Sequence, residues 1–241
     1  MAKQKKLTAR QQALLELIAQ DKTKKEQQEQ TQSQTQSQTQ PQETPLSDIW
    51  IMLPLIPYKA VTLLTGPRDT DKTNLAIDLA YSVSSGLRFV YFPILKPGNV
   101  LYITSESANL FQQRVKAMNE VYYGIETFYW KSKQDLSIEK DIERIKPVLV
   151  VLDKIQISNT YRLLQNWINK YNCGLMIVSE QESILTEYAD VVLSYRDLGE
   201  SKVELNIEET KFDLEYLKFK KIKMSLYLSY KHNFHDINHC Y

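Results

Sequence analysis

Residues 66–73 read Gly66, Pro67, Arg68, Asp69, Thr70, Asp71, Lys72 and Thr73, and the end of that run carries side chains suited to binding polyphosphate. A lysine reaches the outer phosphates, the hydroxyl of Thr73 suits a magnesium ion, and successive backbone N–H groups cradle the anion at the start of a helix. The chemistry asks for ATP and Mg2+, with residues 66–73 as the binding loop and Gly66 at its tight turn. At positions 69 and 71, where close approach of backbone to phosphate favours glycine, the chain has aspartates. A like-charged pair about 5 Å apart costs roughly 3 kcal/mol at an effective dielectric near 20. Arg68 offsets part of that repulsion, or the carboxylates turn outward. Two outcomes stay open: ATP binding that is retained but weakened, or a vestigial loop with a structural role only.

Two further carboxylates fit the same chemistry. Asp153 ends the apolar run 148–152, where a carboxylate at the C-terminal end of a buried strand coordinates magnesium together with Thr73; a simple cap on the next segment is the plainer alternative. Glu106 follows the apolar run 100–104 on the same edge, where it can orient or deprotonate a water attacking the outer phosphate. With Lys72 it makes the expected catalytic pair. Gln181 lies just past the strand expected at 175–178 and either senses the outer phosphate or starts a helix.

Positioning these groups requires a strand, a loop and a helix in that order. The apolar run at 60–64 precedes the loop, and Leu75, Ala76, Leu79, Ala80 and Val83 follow it at helical spacing. Further on, strands at 100–104, 148–152, 175–178 and 191–194 alternate with helices at 108–118 and Tyr161–Tyr171. Continuous apolar strands separated by helices indicate a parallel sheet covered on both faces, the three-layer α/β arrangement. Beyond Asp190 the pattern alternates through Val203, Leu205, Ile207, Met224, Leu226 and Leu228, which predicts half-exposed antiparallel strands. Residues 89–94 are expected to form a hairpin arm turning at Lys96, Pro97 and Gly98.

Three segments are expected. Residues 1–45 comprise a basic helix (Leu14, Leu15, Leu17 and Ile18 on one face) and a Gln/Thr/Ser tract at 27–42 that cannot bury a core and stays disordered. Residues 46–230 form the folded domain, and 231–241 a tail. The helix is either a solvated arm or docks on a neighbouring subunit or on DNA.

Composition narrows the class. The chain has 241 residues, 43% apolar and 24% charged, with a net charge of +1, enough to bury one core and without a global pull toward nucleic acid. No run approaches a membrane span or a secretory signal, so a cytoplasmic protein with no membrane partner is expected. Cys173 and Cys240 are the only cysteines, too few for a disulfide framework or a paired-cysteine zinc site. His232, His235 and His239 read as exposed tail residues rather than metal ligands. Lys218, Lys220, Lys221 and Lys223 form a small nucleic-acid face or a solvated edge strand.

Taken together, the loop, residues 96–107 (Lys96 through Gly98, Glu106 and Ser107), Arg114, the strand ending at Asp153 and residues 189–194 are similar to the RecA-like ATPases. Among these the chain resembles the plasmid and phage replication helicases of the RepA type, here with a degenerate Walker A motif. The resemblance implies a RecA-like core assembled into a homo-oligomeric ring, Glu106 as the catalytic glutamate, Asp153 on the Walker B strand, and ATP-driven work on DNA with replication proteins as partners. The chain departs from that pattern at Asp69 and Asp71, and at residues 208–212, where Lys211 alone remains as a subunit-crossing cation. A catalytically inactive RecA-like subunit with a structural or DNA-tethering role is the alternative, and a recombination-mediator paralogue of the same fold a third.

Overall fold

The computed structural model of the protein describes residues 44–68, 70–122, 125–132, 138–155, 161–180, 185–199, 202–212 and 223–227. The expectations for the N-terminal arm, Asp69, Gln181, Lys218, Lys220, Lys221, the three histidines and Cys240 lie outside the described residues.

Eight of the described strands form one sheet. In chain order they are β3 (Val61–Thr65), β4 (Val100–Thr104), β5 (Phe128–Ser132), β6 (Leu149–Asp153), β7 (Gly174–Val178), β8 (Val191–Gly199), β9 (Lys202–Thr210) and β10 (Lys223–Tyr227), arranged β10-β9-β8-β3-β7-β6-β4-β5. Two short strands, β1 (Trp50–Met52) and β2 (Ile56–Pro57), pair separately. Pairing from β8 through β5 is parallel, whereas β8, β9 and β10 are antiparallel. This is the predicted α/β, RecA-like architecture with a mostly parallel central sheet and antiparallel C-terminal strands.

The four long helices divide between the faces. Alternate residues of each central strand enter two separate apolar clusters, as a pleated sheet requires. Leu64, Val100, Tyr102, Val151 and Met176 pack with α1 (Lys72–Ser85) and α2 (Ala108–Tyr122). Leu63, Leu101, Ile103, Val150 and Ile177 pack with Ile142 and Ile145 of α3 (Ile138–Ile145) and Leu164 and Ile168 of α4 (Tyr161–Tyr171). Helix α1 is buried on all sides from Lys72 to Ser84, so its first turn is enclosed by the core. It ends at Gly86, whose left-handed φ of 72° is the usual glycine stop.

Two readings of the sequence need correction. Residues 89–94 do not form an arm turning at 96–98. Phe89 and Phe92 bridge each other across a tight turn at Val90 and Tyr91, and Ile94 bridges to Met52; burial of both phenylalanine rings pulls this segment onto the body. The strand expected at 191–194 continues to Gly199, because β9 pairs along its full length. Strand β5, helix α3 and the β1–β2 pair were not expected. The apolar residues of β5 and α3 are too few or too mixed with charge to stand out before packing, whereas 50–57 is a continuous apolar run whose prolines at 54 and 57 hide the strand pairing.

Glycine 174 shows how tightly β7 is seated: a Cβ there would lie 2.6 Å from Ile51 Cδ1 and 2.9 Å from the Pro57 carbonyl oxygen. Gly174→Ala is therefore expected to lower stability by about 1–3 kcal/mol through overpacking, read as an earlier urea midpoint. An unchanged midpoint would contradict this packing.

Candidate functional site

Parallel pairing brings the C-terminal ends of β3, β4, β6 and β7 to one edge, where ligand sites of open α/β sheets lie. Register sets Thr104, the last residue of β4, directly opposite Asp153, the last of β6. Between β3 and α1 runs the loop. Gly66 is held so close to β8 that a Cβ would sit 2.5 Å from the Tyr195 carbonyl oxygen, so no other residue fits there without movement.

Within the loop, the Lys72 ammonium donates to the Pro67 carbonyl and, at 2.9 Å, to Thr70 Oγ1. Thr70 itself donates to the Pro67 carbonyl at 2.8 Å. Lys72 and Thr73 are both buried, since they open the enclosed helix α1. Arg68 is exposed and pairs with Glu180 at 3.1 Å. Asp71 precedes α1 and accepts a hydrogen bond from Asn74 Nδ2 at 3.3 Å, so this carboxylate has a partner on the helix side.

Below the loop, the Thr73 hydroxyl donates to Asp153 Oδ1 at 3.3 Å and the Thr104 hydroxyl to Asp153 Oδ2 at 3.5 Å. Asp153 has no solvent exposure. Burial pushes its carboxyl up to about 6; the Glu106 charge adds to the rise, and the Lys154 charge and Thr73 hydroxyl oppose it. Glu106 is tied to the same cluster, its N–H donating to Thr104 Oγ1 at 3.1 Å. Its carboxylate lies between two cations, Arg114 Nε at 3.0 Å and Lys154 Nζ at 3.4 Å. Lys154 follows Asp153 with a left-handed φ of 55°, a conformation that costs about 1 kcal/mol.

The oxygen donors fit a divalent cation. The buried Asp153 carboxylate is met by the hydroxyls of Thr73 and Thr104, and Thr73 and Asp153 present hard oxygens side by side. Among the described residues no group of three or more His, Cys, Asp or Glu could hold a metal. Lys211, expected to reach a neighbouring subunit, pairs with Asp190 of its own chain at 3.4 Å.

Of the expected site residues, Lys72, Thr73, Asp153 and Glu106 gather at this edge, while Arg68 turns to Glu180. Three neighbours were not singled out from sequence. Thr104 ends a predicted strand, Asn74 follows Thr73, and Lys154 follows Asp153, so adjacency to a named residue was the available signal.

Fold and loop together define a RecA-like P-loop domain. The chain belongs to the AAA domain family, whose model matches residues 24–178. No curated protein matches it significantly. This is a P-loop ATPase class, whose members generally bind a nucleotide with Mg2+. Among the described residues no helix is long and apolar enough to cross a membrane.

The Asp153 environment generates a pH prediction. Burial sets its folded pKa at about 6 against the ordinary 3.8, so its contribution to stability is present below pH 4 and lost as pH rises through 6. Without divalent cations, Asp153→Asn should gain on the natural protein by up to about 3 kcal/mol between pH 4 and pH 8, measured by urea unfolding across that range. A pH-independent difference would contradict the burial argument.

Proposed function

We propose that the chain is an ATP-binding, ATP-hydrolysing RecA-like factor of DNA replication or plasmid maintenance, of the RepA helicase type, acting in the cytoplasm as a homo-oligomeric ring. Residues 46–230 carry the activity, with residues 1–45 as an arm and 231–241 as a tail. The supporting observation is the chain of contacts Thr73, Asp153, Thr104, Glu106, which joins the start of α1, the end of β6 and the end of β4 beneath the loop.

In this reading residues 66–73 bind the triphosphate, and Lys72 Nζ exchanges its loop oxygens for phosphate oxygens. Thr73 and Asp153 would hold Mg2+, which when bound neutralises phosphate charge. Glu106 Oε1 or Oε2 orients the attacking water and accepts its proton. Arg114 fixes that carboxylate's direction.

A second reading, a catalytically inactive structural or DNA-tethering subunit, is favoured by the two cations held against Glu106, which occupy the carboxylate oxygens that a water would have to reach. The two readings separate on titration. Calorimetry of the full chain with ATP and Mg2+ should show binding by millimolar ATP, and Lys72→Ala should weaken it about tenfold or more. Absence of binding at millimolar ATP overturns the first reading. Loss of the protein's cellular role on Lys72→Ala alone would count against the second.

A further inference from the structure

We propose that Asp71 is a positioning residue: through Asn74 it holds Arg114, and through Arg114 it orients Glu106, so the acidic residue in the loop serves the opposite side of the site. The inference rests on Glu106 being the water-activating carboxylate.

Asp71 stands immediately before α1 and its carbonyl accepts the Leu75 N–H at 3.1 Å. Residues three apart at a helix start face one another, which brings the Asp71 carboxylate to Asn74 Nδ2. The other end of the same amide, Asn74 Oδ1, accepts from Arg114 Nη1. A carboxylate accepts only and a guanidinium donates only, so these two neighbours permit one orientation of the Asn74 amide. Asn74 is 2% exposed, leaving little room for water to replace either partner.

The guanidinium carries the constraint onward. It is planar and rigid, so anchoring Nη1 on Asn74 fixes the edge that meets Glu106. Nε lies 3.0 Å from Glu106 Oε2 and Nη2 3.5 Å from Oε1, a two-point hold on the carboxylate. Lys154 touches Oε1 from the side that reaches solvent, its own side chain being 39% exposed. Glu106 is thus gripped firmly through Arg114 and loosely through Lys154.

This arrangement gives the aspartate two opposed effects. Its charge near the triphosphate weakens ATP binding, and its hold on Asn74 supports turnover. Restoring the glycine usual at such a position should then separate KM from kcat: in Asp71→Gly, KM for ATP stays level or falls while kcat drops several-fold, and Asn74→Ala lowers kcat with KM within about twofold. A rise in kcat for Asp71→Gly would overturn the proposal.

A nucleotide-free measurement keeps it separate from the functional reading. Urea unfolding of full-length Asp71→Ala, Arg114→Ala and the double variant should show non-additivity of roughly three- to tenfold in the folding constant when Asn74 is present. The same cycle in an Asn74→Ala background should be additive. Additivity in both backgrounds, or equal coupling in both, sinks the relay. Coupling that vanishes with Asn74 upholds the relay even if the natural protein turns over no ATP, a result that would remove only the ATPase reading.

Discussion

A carboxylate sealed from water at the end of β6 is the constraint around which the site is arranged. Leaving a buried charge without partners costs several kcal/mol, and Asp153 meets that cost with the hydroxyls of Thr73 and Thr104. One hydroxyl belongs to the first turn of α1 and the other to the last residue of β4. The carboxylate therefore pins three separate elements to one point. Glu106 follows from it, because its backbone N–H is held by the same Thr104 hydroxyl.

The loop above is shaped by a different force, the closeness of backbones. Gly66 lies against the Tyr195 carbonyl with no space for a side chain, which ties the loop to β8. Lys72 is satisfied by oxygens of its own loop, so a ligand must compete with Pro67 and Thr70 for the ammonium. The metal side of the site is thus organised by buried hydrogen bonds, and the phosphate side by contacts that an anion can replace. Those two sides meet at Asn74, whose amide joins the loop to the guanidinium of Arg114.

Much of the architecture was legible in sequence because parallel strands buried on both faces must be continuously apolar. The runs ending at Thr104, Asp153 and Val178 showed themselves that way, and the alternation through Val203, Leu205 and Ile207 marked the antiparallel strands. Strand β5 escaped notice since only Phe128 of its five residues is fully buried; it is an edge strand that owes its place to β4. The hairpin expected at 89–94 was misread because two buried phenylalanines look alike on an arm and on a folded-in turn.

Residue types and spacing alone determined the strand-loop-helix unit, the pair Lys72 and Thr73, and the carboxylates at the ends of two strands, since each depends on local sequence and the period of burial. The pairing of Asn74 with Arg114 and of Glu106 with Lys154 was decided only in three dimensions. Arg114 lies 40 residues from Asn74, and Lys154 lies 48 from Glu106. No local rule links such distant positions; the sheet's strand order and the packing of α2 on α1 bring them together.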